Sequence, residues 1–346
     1  MSEMNMNMIR NNRNPKEIIR ARSFCPVRII IFLLCLMIGL FLCAYKIAES
    51  GHAGYIYTEQ MTSQTARLRA TALSHIHGLN EANQSAAYLQ LNSTNAVLLD
   101  MESGTILFDK NGTEKMYPAS MTKILTAIVA LEHISDLNVK IMLNETIFKP
   151  VYNADATTAG YLPGEQVRAV DLLYGLLLPS GAECAVGLAE YVAGSESAFV
   201  EMMNDKAGEI GMSDSCFTNA TGLHDKNHYS TAMDIANLFK YALANDDFYT
   251  IISSSRYSAP ATNRHSGGIT FNSSFFSRIA GSAFDGGQIL GGKTGYTSEA
   301  GQCLASIAVK NGSKYILVTS GAPGDNQKEK QHIDDAFTVY NAIGSN

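Results

Sequence analysis

Hydrophobic and polar positions along this chain change character several times. Ile29 to Tyr45 runs without a charge and is long enough to span a bilayer, which takes about 17–25 apolar residues. Residues 46–94 are polar, without helical or strand periodicity, and read as a stalk. Regular pattern begins at Asn95–Asp100 and Thr105–Asp109, two short apolar runs about Ser103-Gly104 that predict a hairpin. The run from Met121 to Leu131 has no Gly or Pro and is almost wholly apolar, so it predicts a buried helix. Val170–Leu178 predicts a second buried helix, stopped by Pro179. Helical spacing also marks Ala182–Val192, Glu196–Ile210 and Ala232–Leu243, the last capped by Ser230 or Thr231. Strands follow at Gln288–Gly295, Gln302–Val309 and Lys314–Thr319. The last two flank Asn311-Gly312, the strongest short hairpin signal. A final helix is expected over 327–342. Strands at both ends of a helical middle imply an α+β domain, residues 95–346, with one antiparallel sheet.

Charge orients the chain. Residues 1–28 carry Arg10, Arg13, Lys16, Arg20, Arg22 and Arg28 against Glu3 and Glu17, so this basic segment is expected in the cytoplasm and everything after 29–45 outside. A cleaved signal peptide is the competing reading, with Gly51-His52-Ala53 as its cleavage site. Seven basic and two acidic side chains lie in residues 1–46. The remainder holds 19 basic and 30 acidic residues, a net charge of −11, which does not suit nucleic acid. Beyond the apolar run only Cys184, Cys216 and Cys303 remain, too few and too widely spaced for a disulfide framework or a zinc site.

The candidate chemistry starts at Tyr117-Pro118-Ala119-Ser120-Met121-Thr122-Lys123. Pro118 suits the entry to a helix, which places Ser120 in the first turn and Lys123 one turn on, on the same face. A serine hydroxyl is a weak nucleophile without a base in reach, and a desolvated lysine of lowered pKa can serve as that base. The helix N-terminus adds free backbone N–H groups where an oxyanion would form. The plain alternative is a serine that only caps a helix.

Two later segments, Pro179-Ser180-Gly181-Ala182 and Lys293-Thr294-Gly295, decide between these readings. With Ser120-Met121-Thr122-Lys123 they resemble the S-x-x-K, S-x-N and K-T-G motifs of penicillin-binding proteins and serine β-lactamases, in that order. Asp171-Leu-Leu-Tyr-Gly-Leu-Leu-Leu-Pro-Ser-Gly181, Gly222-Leu-His-Asp and Asn227-His-Tyr-Ser-Thr-Ala232 narrow the resemblance to low-molecular-mass D-alanyl-D-alanine carboxypeptidases, from Asn95 onward. The resemblance implies a DD-peptidase/β-lactamase-like domain: an antiparallel five-stranded sheet flanked by terminal helices, with a helical subdomain. It implies Ser120 as nucleophile, Lys123 as base and Ser180 as proton relay. Lys293 and Thr294 would hold the substrate carboxylate, Gly295 would permit close approach, and the N–H groups of Ser120 and Tyr296 would form the oxyanion hole. No metal or cofactor is implied. The substrate would be a peptidoglycan stem peptide ending in D-Ala-D-Ala, with β-lactams as inhibitors.

One departure stands out: Ala182 occupies the place of the family's Asn. Relatives that carry a further β-rich domain are tethered at the C-terminus, so here the N-terminal run is expected to be the tether. His224 and His228 are read as structural, Cys184 as a small buried side chain, and Glu183 as a solvated or helix-starting carboxylate. A β-lactamase of class A would need a glutamate that Ser213–Leu223 lacks. A β-lactam sensor or inactive scaffold is the remaining alternative.

Overall fold

The computed structural model describes residues 89–325 and 330–344. The expected cytoplasmic segment, the run 29–45 and residues 46–88 of the stalk therefore lie outside the described residues. The remaining stalk residues are tied into the fold. The Asp335 carboxylate accepts bonds from Asn92 N (2.9 Å) and Ser93 N (2.7 Å), and Ser93 is fully buried.

The main sheet is antiparallel. Its strands are β1 (Asn95–Asp100), β2 (Ile106–Lys110), β7 (Ala283–Phe284), β8 (Gly287–Thr297), β9 (Gly301–Lys310) and β10 (Ser313–Ala322), in the order β2-β1-β10-β9-β8-β7. The sheet has six strands where five were expected. The sixth, β7, is a two-residue edge pairing with Gly287 and Gln288, too short to carry a strand pattern. Two further two-stranded sheets, β3 (Lys140–Leu143) with β4 (Glu165–Arg168) and β5 (Arg256–Ala259) with β6 (Ile269–Asn272), stand apart from it. The expectation of one sheet missed both, because strands of four residues give too few alternations to read.

Among the described residues eight α-helices join the strands: α1 (Thr122–His133), α2 (Glu145–Asn153), α3 (Ala169–Leu177), α4 (Ala182–Ala193), α5 (Glu196–Ile210), α6 (Ala232–Ala242), α7 (Asp246–Ile252) and α8 (Gln331–Ala342). Thr231 Oγ1 caps α6 by accepting Asp234 N–H at 3.0 Å, as its sequence predicts. The last helix starts at Gln331 rather than near 327. Of the expected flanking terminal helices, α8 is the one within the described residues.

Successive residues of β1 point to opposite faces of the sheet. Ala96 and Leu98 pack with Leu304, Leu317 and Tyr340 under α8, whereas Val97 and Leu99 join Ile307, Val318 and the helical core. Both faces are thus covered, which is why the long strands read as nearly continuous apolar runs. Helix α1 threads the helical core with Ile124, Leu125 and Ala127 at 0% exposure. Burial of a Leu or Ile stabilises by about 1.5–3 kcal/mol relative to exposure. That makes α1 a rigid mount for whatever its N-terminus carries.

Candidate active site

The chain enters α1 through a single 3-10 turn, Ala119–Met121. Ser120 lies in this turn, not in the first α-helical turn that its motif suggested. Ala119 has a φ of 46°, a conformation sparsely populated by non-glycine residues. The turn is pressed between two backbones. A Cβ on Gly295 of β8 would lie 3.0 Å from Ser120 N and 3.3 Å from Pro118 O. A Cβ on Gly222 would lie 1.9 Å from Ala119 O, and Gly222 itself has a φ of 78°. Only glycine allows these approaches, so two segments far apart in sequence clamp the serine's turn.

Lys123 is 3% exposed, and its Nζ lies 3.0 Å from Ser120 Oγ. The same nitrogen donates to Thr221 O at 2.6 Å. Burial disfavours the ammonium and lowers this lysine to about 8, with the negative charge of Glu183 offsetting part of the effect. In its neutral form, with one N–H on Thr221, the amine keeps its lone pair for the serine hydroxyl.

Ser180 stands at the α3–α4 junction with a φ of 74°. Lys293, fully buried on β8, donates from Nζ to Ser180 Oγ (2.9 Å) and to Thr294 O (2.9 Å). Burial first, then the charges of Lys123 and Arg278, holds Lys293 well below the ordinary lysine value. Thr294 Oγ1 is hydrogen-bonded to Ser274 Oγ at 2.8 Å. Ser120, Lys123, Ala182 and Tyr296 line a cleft of about 690 Å³, and Ser180, Lys293 and Thr294 are buried residues outside its lining. The structure therefore brings together six residues singled out in the sequence, with Tyr296 on the same cleft wall.

Sequence reasoning missed three contributors. Thr221 and Gly222 stand at the head of a phrase that served only to narrow the resemblance, although Gly222 carries a glycine's usual signal. Ser274 has no local signal at all. Ala182 is 1% exposed on the cleft, where its methyl makes no polar contact with Lys123.

The remaining singled-out residues find plain partners. His228 Nδ1 accepts Thr218 N–H at 3.1 Å, which leaves its protonated Nε2 to bond Thr122 Oγ1 at 2.8 Å. Burial lowers it to about 4, so it is a neutral brace between α1 and the 218–231 loop. His224 packs edge-on against Tyr117 (ring centroids 4.7 Å apart) at the rim of the cleft. Cys184 is buried, and burial pushes its thiol well up. Glu183 starts α4 as expected but is not solvated: its side chain is fully buried against the backbone of 159–161, which supplies the donors that water would. Among the described residues no cluster of His, Cys, Asp and Glu could hold a metal ion.

This fold and this arrangement of two serines and two lysines define the class of serine DD-peptidases. The chain belongs to the D-alanyl-D-alanine carboxypeptidase family, peptidase S11, which matches residues 80–324. It is 31% identical over 258 residues to D-alanyl-D-alanine carboxypeptidase DacF of Bacillus subtilis, covering 71% of this chain and 62% of that one. The Streptomyces K15 DD-transpeptidase superposes with a TM-score of 0.66 at 25% identity, over 73% of this chain and 97% of that one. A D-alanyl-D-alanine carboxypeptidase from Mycobacterium tuberculosis superposes with a TM-score of 0.63 at 27% identity, over 73% and 90%. The chain spans about three fifths of the length of DacF and of D-alanyl-D-alanine carboxypeptidase DacC of Escherichia coli, which it matches at 30% identity.

Proposed function

We propose that this protein is a serine D-Ala-D-Ala carboxypeptidase that removes the terminal D-alanine from peptidoglycan stem peptides and is acylated by β-lactams. The observation that carries the reading is the Lys123 Nζ–Ser120 Oγ approach of 3.0 Å, made by a lysine whose pKa is brought down to about 8. Lys123 takes the Ser120 proton as Oγ attacks the carbonyl between the two D-alanines. The oxyanion sits against the backbone N–H groups of Ser120 and Tyr296. Lys293 and Thr294 hold the terminal carboxylate, and Ser180, bonded to Lys293, relays the proton that Lys123 took to the nitrogen of the departing D-alanine, which leaves Lys123 neutral again. The C–N bond breaks and an ester remains on Ser120. Water then attacks that ester and gives a proton to Lys123, which returns it to Ser120 Oγ as the C–O bond breaks and the shortened peptide leaves. A β-lactam opens on Ser120 in the same way, but its leaving nitrogen stays tethered.

A second acceptor is supported by the DD-transpeptidase name of the Streptomyces relative: an amine in place of water would join two peptides instead of trimming one. We further propose that residues 29–45 anchor the chain, with the catalytic domain outside the cytoplasm. Among the described residues no helix is long and apolar enough to cross a membrane.

Mass spectrometry tests the reading. A pentapeptide ending in D-Ala-D-Ala is expected to lose one D-alanine, and penicillin is expected to add its mass to the peptide containing Ser120. Ser120→Ala is expected to abolish both. An adduct elsewhere, or no D-alanine release, refutes the assignment. A dimeric product formed when an amine acceptor is present selects the transpeptidase reading. Recovery of the full chain with membranes is expected, and a soluble product starting near Gly54 refutes the anchor.

A further inference from the structure

Beside the cleft lies an acid for which the proposed mechanism has no use. Glu183 has no solvent exposure, and its Oε1 accepts backbone N–H bonds from Ala159 (2.7 Å), Gly160 (3.0 Å) and Tyr161 (3.3 Å). Its Oε2 is buried without a partner. One residue back, Ala182 N donates to Thr157 O at 2.8 Å. One residue further back, a Cβ on Gly181 would lie 2.9 Å from Ala159 N. The turn 180–183 and the loop 157–161 are therefore laid backbone against backbone. The same loop, through Ala154, Asp155, Ala156 and Thr157, forms a wall of the cleft that Ser120 and Lys123 line. Its far end is held separately, by Leu162 N donating to Glu165 Oε2 at 2.8 Å.

Resting on the DD-peptidase reading, we propose that Glu183 is a positioning residue. It fastens the 154–161 wall of the cleft to the turn that carries Ser180, so that acylation of Ser120 depends on a carboxylate touching neither substrate nor nucleophile. Burial raises the Glu183 carboxyl above its ordinary value, and the three backbone N–H donors on Oε1 oppose that shift and favour the ionised form. Ser180 needs such bracing, because its φ of 74° is a conformation that only surrounding contacts keep. The charge acts as well. The titratable groups facing Lys123 are Glu183 and Cys184 from α4, Lys293 from β8 and His228 from the 221–231 loop. Burial keeps Cys184 a thiol, so Glu183 supplies the negative charge that draws a proton toward Lys123.

Two full-length variants test this. Glu183→Gln keeps the shape and one acceptor but removes the charge, and Glu183→Ala removes the acceptor. Hydrogen exchange of residues 154–162 and the pH dependence of Ser120 labelling by a fluorescent penicillin are read on each. In Glu183→Ala, exchange at Ala159–Tyr161 is expected to rise about tenfold or more, with labelling slowed about tenfold. In Glu183→Gln the acid limb of the labelling profile is expected to move to lower pH by about half a unit or more, because Lys123 loses the charge that favours its ammonium. Should Glu183→Ala fail to fold, the displaced limb in Glu183→Gln decides alone. Profiles that superimpose on the wild type overturn the proposal, and so does faster exchange with unchanged labelling, since Glu183 would then be a structural brace only. A wild type that penicillin does not label refutes the DD-peptidase reading instead, and exchange still reports whether the clamp exists.

Discussion

The pH dependence of acylation follows from where Lys123 sits. An ordinary lysine, near 10.5, is about 0.03% neutral at pH 7, whereas one at about 8 is about 9% neutral, a gain of about 300-fold in competent base. From pH 7 to 8 the neutral fraction rises about fivefold, and from pH 8 to 9 it rises only about twofold before levelling. An unshifted lysine would give about tenfold over each interval. Labelling of Ser120 by a fluorescent penicillin, measured as a second-order rate constant from pH 6 to 9.5, separates the two. A rise that bends near pH 8 is expected. A tenfold step between pH 8 and 9 refutes the desolvated base, and a flat profile refutes Lys123 as the base altogether. Lys123→Arg, which stays protonated, is expected to slow labelling by about a hundredfold or more. Linkage sets the sign for stability. The unfolded chain binds the proton more tightly, so between pH 10.5 and 8 folding becomes less favourable by about 3 kcal/mol, and no further loss from this group follows below that.

Gly222→Ala is expected to lower stability by about 2–4 kcal/mol, since its Cβ would meet Ala119 O at 1.9 Å from a positive φ; a urea midpoint like the wild type's refutes this. Ala182→Asn puts an amide into the cleft that Lys123 also lines and is expected to raise labelling about tenfold, and a fall would show that the site has closed around the methyl. His228 and His332, both held at about 4 by burial, must stay neutral in the fold. Stability is therefore expected to be full above about pH 6.5 and to fall as the pH drops toward 4, and urea titrations that show no fall over that window refute it.

Much of this molecule could be read from local pattern. The almost wholly apolar run after Ser120 specified a buried helix, and Asn311-Gly312 between two apolar runs specified the β9–β10 turn. Pro179 after an apolar helix specified the stop that presents Ser180. These features depend on neighbours in sequence, where periodicity and turn chemistry act directly. Helical spacing offered Ser120 and Lys123 as a candidate nucleophile and base, and the resemblance in motif order chose that reading over a plain helix cap; the role proposed for Lys293 came from the resemblance alone. What the tertiary structure decided is contact across distance. Lys123 finds its acceptor on Thr221, 98 residues on, and Lys293 finds Ser180, 113 residues back. Glu183 read as a solvated helix start because a charged residue at that position ordinarily faces water. Its burial follows only once the 159–161 backbone arrives to donate three N–H bonds. The edge strand β7 and Ser274 left no trace in the pattern, since two residues of pairing and one hydroxyl on a loop create no periodicity. The lowered pKa of Lys123 belongs to the same category: desolvation is a property of the surrounding packing, and no spacing of residues along the chain encodes it.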